Sequence, residues 1–538
     1  MALAQLQRAF MPSLVLKIFA LLLLALSFSA CSQSTDHEVV TRESSVKEFV
    51  LGNGAEPSSL DFHKVSGIAD LRVAMALFEG LVQEDPLEQG LVSPGVAERW
   101  EVEATGTTYT FFLREDAKWS DGAAVTAEHF VAGARRVLDP DFGGPLANLF
   151  DFVKGAKAYR AGELSDFGQV GYKAVDESTL TIQLENPTPF FLQILKIPVF
   201  FPWRDAIFEG NPRIPQVVNG PFTVAEWIPS ERLTVGRQQH YSGARDPKID
   251  RVTFLPISSP STEERAFKTR DLHFTNGVPT ATKDRLHGSG DPTYREDAHL
   301  ATAYLLMNTE DASLADPQLR QALSLAIDRQ AIVEFILKLG RPAQSFTPDS
   351  IPGYAPGKLL NFDPEAAKQL LKDWETENGK LEKLVLSTSM NVNSAKVTET
   401  MQAMWTEHLG IEVELRQSEW KVYLNNLNTG AYQLGFLAWY GDYVDPYTFL
   451  SVFRSTAPTN RARWISPEYD ALLDTSLTTS GAERIQAMEA AERLLLTEMP
   501  IAPVYWVAQP HRISEKVTGW PSKLLELRPY TAVDIVTD

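Results

Sequence analysis

From Thr179 to Leu184 apolar and polar residues alternate strictly, which predicts a strand with one buried face, and Tyr109, Phe111 and Leu113 fall on one face of a second strand. Asp316-Pro317 pairs an N-cap with Pro at the first helical position, and Leu319, Leu323, Ile327, Val333 and Leu337 follow as a helical stripe. Asp363-Pro364 and Ser466-Pro467 repeat that start signal. Leu384 and Leu386 mark a strand, Ser394 to Leu409 a helix stopped by Gly410, and Ile411, Val413 and Leu415 then alternate with Glu412 and Glu414. This order predicts a βαβ unit with parallel strands and a right-handed crossover. A further strand, Gln433 to Tyr440, runs into the loop Gly441-Asp442-Tyr443-Val444-Asp445-Pro446. Ligands collect beyond the carboxyl ends of strands in open α/β sheets, which makes Asp442 a candidate binding residue.

The N-terminus changes the picture of where the protein works. Arg8 and Lys17 precede an uncharged run from Ile18 to Ala30, suited to an export signal and short for a membrane span. Phe28-Ser29-Ala30 leads into Cys31, the single cysteine of the chain, and resembles the lipobox of bacterial lipoproteins with Phe where Leu is usual. The expectation is a signal peptide over 1–30, lipidation of Cys31, and a Ser-, Thr- and charge-rich tether over 31–48. That predicts a soluble body in the periplasm or at the cell surface, held to a membrane by lipid. With one cysteine, no intramolecular disulfide is possible.

A chain of 538 residues with 44% hydrophobic content is too long for one core, so roughly three domains of about 150 residues are expected. Its 69 acidic against 50 basic residues give a net charge of -19, which opposes a nucleic-acid-binding surface. Aromatic residues at 10% with ordinary Gly and Pro usage argue against disorder.

Several chemistries lack their marks. The nine histidines form no H-E-x-x-H pair, and neither G-x-x-x-x-G-K-[ST] nor G-x-S-x-G occurs. Ser44-Ser45-Val46-Lys47 satisfies S-x-x-K at the edge of the tether, without partner motifs. No metal or cofactor is therefore expected. A secreted glycoside hydrolase needs only two carboxylates brought together by folding, so it stays open as an alternative.

A set of strings in fixed order resembles the extracellular solute-binding proteins of family 5, the oligopeptide-binding components of ABC importers. They are Glu56 to Asp61 (EPSSLD), Leu77 to Leu81 (LFEGL), Pro94 to Trp100 (PGVAERW), Phe112 to Gly122 (FLREDAKWSDG), Arg135 to Pro140 (RRVLDP), Asn219 to Phe222 (NGPF), Leu325 to Arg329 (LAIDR), Trp439 to Pro446 (WYGDYVDP) and Pro500 to Tyr505 (PIAPVY). The resemblance implies an α/β fold: a two-lobed, type II-like periplasmic-binding-protein clamshell with an additional third lobe. It implies a discontinuous lobe over 49–68, 193–296 and 510–538, an extra lobe over 69–192, and a lobe over 297–509. It further implies a non-enzymatic, monomeric receptor that encloses short peptides and hands them to an ABC permease in the cytoplasmic membrane.

By the same resemblance Asp442 pairs with the peptide α-ammonium. Trp420 and Trp439 line ligand pockets, Glu56 marks a segment whose backbone faces the peptide, and Tyr304 is a cleft tyrosine. Tyr440, Tyr505 and Trp506 are further pocket candidates. The chain departs from the family where some relatives carry cations for the peptide carboxylate: it has Phe436, Ser394 and Leu337, with Lys338 adjacent to the last. Other cargo, such as a dipeptide, cell-wall peptide, opine or metal chelate, therefore stays open.

Overall fold

The computed structural model describes residues 46–536, apart from 66, 244 and 245. The export signal and Cys31 lie outside the described residues. Among the described residues no helix is long and apolar enough to cross a membrane.

Three sheets organise the body. The first has four strands in the order Glu48–Gly52, Arg251–Leu255, Arg232–Arg237, Phe222–Ile228, the first pair parallel and the others antiparallel. The folded body thus begins before residue 49, since Glu48 already pairs with Arg251 and the Lys47 ammonium sits 2.7 Å from Asp534. The second sheet is antiparallel, in the order Ala97–Val102, Thr108–Leu113, Thr179–Gln183, Tyr172–Ala174. The alternation in the sequence is realised here: Tyr109, Phe111 and Leu113 are buried, as are Leu180 and Ile182. Burying each such side chain is worth about 1.5–3 kcal/mol, so a one-residue slip of register would be strongly opposed.

The third sheet has six strands, Arg341–Pro342, Ile501–Arg512, Tyr294–Met307, Leu434–Tyr440, Leu384–Ser389 and Val413–Ser418. Leu384–Ser389 is parallel to both Val413–Ser418 and Leu434–Tyr440. The linking helix Val392–Leu409 starts at an Asn391 N-cap and ends at Gly410 in the left-handed conformation. Asp316, Asp363 and Ser466 each cap the helix predicted to follow. The stripe from Leu319 to Leu337 is not one helix, however. Pro317–Leu325 stops, Asp328 caps a new turn, and a π-helical segment Ile332–Leu337 follows. The cause is Arg329, which is buried and donates to the carbonyls of Ser324, Ile327 and Pro503 instead of facing solvent.

Tyr294–Met307 and Ile501–Arg512 are the longest strands and link the first and third sheets. At one end they pair as Tyr294↔Arg512 beside the bridges Phe274↔Ile513 and Leu51↔Phe274; at the other, Leu306 pairs with Ile501. Between Ala298 and Thr302 the register shifts, so that His299, Leu300 and Ala301 interrupt the ladder.

Candidate functional site

The strand Leu434–Tyr440 runs antiparallel to Tyr294–Met307, with Tyr440 opposite Ala301 beside the register shift. The loop that follows is fastened on several sides. Gly441 N–H donates to Leu300 O at 2.8 Å, and a Cβ at Gly441 would lie 2.8 Å from both Leu300 Cδ2 and Thr448 Cγ2. Such an approach favours glycine here. Thr448 holds two neighbours: its Oγ1 accepts from Asp442 N–H at 3.1 Å, and its carbonyl accepts from Trp439 Nε1 at 2.9 Å. Asp445 receives two bonds from the Arg484 guanidinium, at 2.7 and 2.9 Å, and one from Tyr447 N–H at 2.9 Å.

Asp442 projects from this rigid loop, and among the described residues no hydrogen bond or ion pair reaches its carboxylate. Its side chain is open to solvent, yet the apolar wall around it raises its pKa above the ordinary carboxylate value. It borders a cavity of about 460 Å³ whose walls come from several separate elements, with Phe62, Ile68, Leu149, Val199 and Leu524 supplying apolar surface. The wall's other acid, Glu526, and its two imidazoles, His63 and His299, are each shifted by their surroundings, His299 by burial that lowers its pKa. Glu526 is buried but held well below the usual carboxylate range by Arg72 and Arg528, at 3.2 and 3.3 Å. Burial, reinforced by Arg136, lowers the His63 pKa to about 3, so that imidazole is neutral. Asp442 is thus a carboxylate without a cation at the edge of an apolar space, a setting that favours a cationic partner with an apolar body.

A second cavity, about 390 Å³, lies on the other side of Tyr440. It gathers Trp420, Tyr440 and Tyr505 together with Phe436, Ser394 and Leu337, the positions where the resemblance led us to look for cations. Its wall carries no Lys or Arg; Lys338, between the lining residues Leu337 and Leu339, does not contribute. Trp420 is 52% and Tyr440 57% exposed, unusual for large rings and suited to contact with an incoming molecule. Trp506 lines a smaller neighbouring cavity, where Arg341 stands 5.2 Å over its ring and its Nε1 donates to Ser345 O at 3.2 Å.

The remaining candidates stand elsewhere. Tyr304 is 1% exposed and packs edge-on against Phe346 at 5.2 Å, with Phe453 behind. The expectation of a cleft tyrosine is corrected: the phenylalanine cluster draws this ring into the core. Trp439 lines neither the Asp442 cavity nor the Trp420 cavity and buttresses the Asp442 loop through Thr448. The Glu56 carboxylate accepts from Trp227 Nε1 and from Ser230 N–H, which ties its segment to the turn Ile228–Arg232 and leaves no side-chain role in either cavity. Sequence reasoning missed Thr448, Arg484 and His299. The last sits edge-on to Tyr440, with ring centroids 6.3 Å apart, and borders the first and third cavities. No spacing signal marks these residues, because they converge from separate elements.

Comparison with known proteins bears directly on this arrangement. The signature of bacterial extracellular solute-binding proteins, family 5 Middle, matches residues 92–461. The periplasmic murein peptide-binding protein MppA of Escherichia coli (strain K12) is 32% identical over 516 residues, covering 93% of this chain and 95% of that protein. The chain belongs to family 5 of the bacterial extracellular solute-binding proteins. Its fold is the α/β clamshell of that family with an additional lobe, and members of this family are transport binding proteins. The solved structure of MppA periplasmic murein tripeptide binding protein in its unliganded open form matches with a TM-score of 0.83 at 32% identity, over 92% of this chain and 98% of that one. Haemophilus influenzae OppA in complex with RPPGFSPFR matches with a TM-score of 0.69 at 29% identity, over 92% and 99%. The TM-score is thus higher against the unliganded open form of MppA than against the OppA complex.

Proposed function

We propose that this protein is the cargo-capturing lipoprotein of an ABC importer. It closes on short peptides between its lobes, takes the peptide amine on Asp442 and delivers the cargo to a permease in the cytoplasmic membrane. The observation that carries the reading is the Asp442 carboxylate, fixed by its loop, without a cationic partner, and set against an apolar cavity. The peptide-binding names of the relatives support the cargo class. Trp420, Tyr440 and Tyr505 would contact the cargo chain, and Trp506 its neighbouring pocket. The lobes are the segments 49–68, 193–296 and 510–538, extended by Lys47 and Glu48 at the start; 69–192; and 297–509, with the two longest strands as hinge. Lipidation at Cys31 would hold the protein, as a monomer, to a membrane facing the periplasm or the cell surface.

Calorimetry with a mixed set of short peptides tests the assignment. A charge-assisted hydrogen bond is worth about 1.5–3 kcal/mol, so Asp442→Asn or Nα-acetylation of the peptides should each weaken binding by roughly 10- to 150-fold. No loss from either change would remove Asp442 from the site. The cation-free second cavity favours a second reading, in which the natural cargo is a dipeptide, cell-wall peptide, opine or metal chelate. Native mass spectrometry of the purified protein separates the two, since recovery of an opine or a metallophore would displace the peptide reading.

A further inference from the structure

Among the described residues the Asp442 side chain makes no bond, so its aim depends on what fixes the backbone around it. Behind it stands a residue from a distant part of the chain. Phe190 follows the strand Thr179–Gln183 of the antiparallel sheet and is inserted between Tyr443 and Tyr447. Its ring stacks on Tyr443 at 4.6 Å with 6° between planes, and on Tyr447 at 5.1 Å with 21°. Phe190, Tyr443 and Tyr447 are all buried. Offset stacks at this separation are attractive beyond their buried area and resist tilting. Because Tyr443 directly follows Asp442, clamping its ring restricts the peptide unit that sets the direction of the carboxylate.

Phe190 is itself held firmly by the antiparallel sheet. Tyr109, on the strand Thr108–Leu113, donates its hydroxyl to Thr188 O at 3.1 Å, and Phe152 meets Phe190 edge-on at 5.5 Å. A second point of approach lies alongside. A Cβ at Gly90 would meet Val444 Cγ1 at 3.3 Å and Pro352 Cγ at 3.0 Å, and Gln89 Nε2 donates to Ser350 O at 3.3 Å. A continuous path of packed groups thus runs from the antiparallel sheet through Phe190 and Tyr443 to Asp442.

We propose that the antiparallel sheet takes part in cargo recognition through Phe190, a positioning residue that aims the Asp442 carboxylate at the cargo amine. This rests on the reading of Asp442 as the amine acceptor. It gives the additional lobe, whose Leu149 also lines the Asp442 cavity, a task in aiming the carboxylate from behind the loop.

The test compares an equimolar pool of synthetic tri- to pentapeptides with the same pool after Nα-acetylation, titrated into the full chain and followed by intrinsic tryptophan fluorescence. Phe190→Leu keeps apolar volume and removes the ring; Phe190→Tyr keeps the stack. Phe190→Leu should weaken the free-amine pool by roughly tenfold, the lower end of what a charge-assisted hydrogen bond contributes. It should leave the acetylated pool unchanged, and Phe190→Tyr should restore wild-type binding. Equal weakening of both pools by Phe190→Leu would overturn the inference and leave the Asp442 reading intact. A wild-type protein that does not distinguish the pools would overturn both.

Discussion

Replacing Arg484 by Met strips Asp445 of its guanidinium while roughly keeping the volume of the side chain. In the native protein the two groups exchange two bonds, at 2.7 and 2.9 Å, and Arg484 Nε adds a third to Ser476 O at 3.1 Å. Both side chains are largely shielded, 9% and 11% exposed, so solvent would do little to compensate the stranded carboxylate. Removing one partner of a buried pair costs about 3–5 kcal/mol. Tyr447 N–H still donates to Asp445, which places the expected loss near the lower end, about 3 kcal/mol. Adding Asp445→Asn removes the uncompensated charge, so the double variant should be more stable than Arg484→Met alone, by about 1 kcal/mol or more. Urea unfolding of the full chain, followed by far-UV circular dichroism, reads both numbers. A loss under about 1 kcal/mol for Arg484→Met, the value of an exposed pair, would refute the argument, as would a double variant no more stable than the single one.

Two further outcomes concern pH. On the proposed reading, binding needs Asp442 ionised and the cargo α-amine protonated. Affinity should therefore peak near neutrality, fall above about pH 8, and fall on acidification from a higher pH than an ordinary aspartate near 3.8 would give, because the apolar surroundings desolvate and raise this carboxyl. A calorimetric profile that stays flat across that span would count against the ionic contact. In the core, burial lifts Glu492 from 4.5 to about 7, although Thr347 N–H and the Tyr354 hydroxyl donate to it. The folded state thus keeps a proton that the unfolded chain releases. Its contribution is complete below about pH 4.5 and is lost as pH rises through about 7. Relative to Glu492→Gln, wild type should lose about 3 kcal/mol of stability across that window, and a pH-independent difference in urea unfolding would disprove the assignment.

The local grammar of the chain was readable wherever one element decides its own structure. The alternation from Thr179 to Leu184 and the proline-led starts after Asp316, Asp363 and Ser466 all appear, because a buried face and a cap are short-range properties. The stripe through Ile327 misled because Arg329 turns inward to bond carbonyls, a tertiary demand that periodicity does not register. At the site, Trp420, Tyr440 and Tyr505, named only through the family resemblance, line one cavity, and Asp442 follows the carboxyl end of its strand as the pattern expected. Tyr304 defeated the same reasoning, since whether a ring on a central strand meets solvent or the Phe346 cluster depends on residues far along the chain. Phe190, Thr448 and Arg484 were invisible for a related reason: each acts on the loop from another element.

The interruption at His299, Leu300 and Ala301 has a mechanical side. Where the ladder lapses, the backbone is engaged sideways instead: Leu300 O receives Gly441 N–H and Leu300 N–H donates to Leu524 O at 3.1 Å. If the two long strands serve as the proposed hinge, a bend made at this gap would tug on Gly441, the residue just before Asp442, and so gear the gape of the jaws to the grip at their rim. On that reading, a partner that spreads the two halves would slacken the hold on an enclosed molecule without touching it.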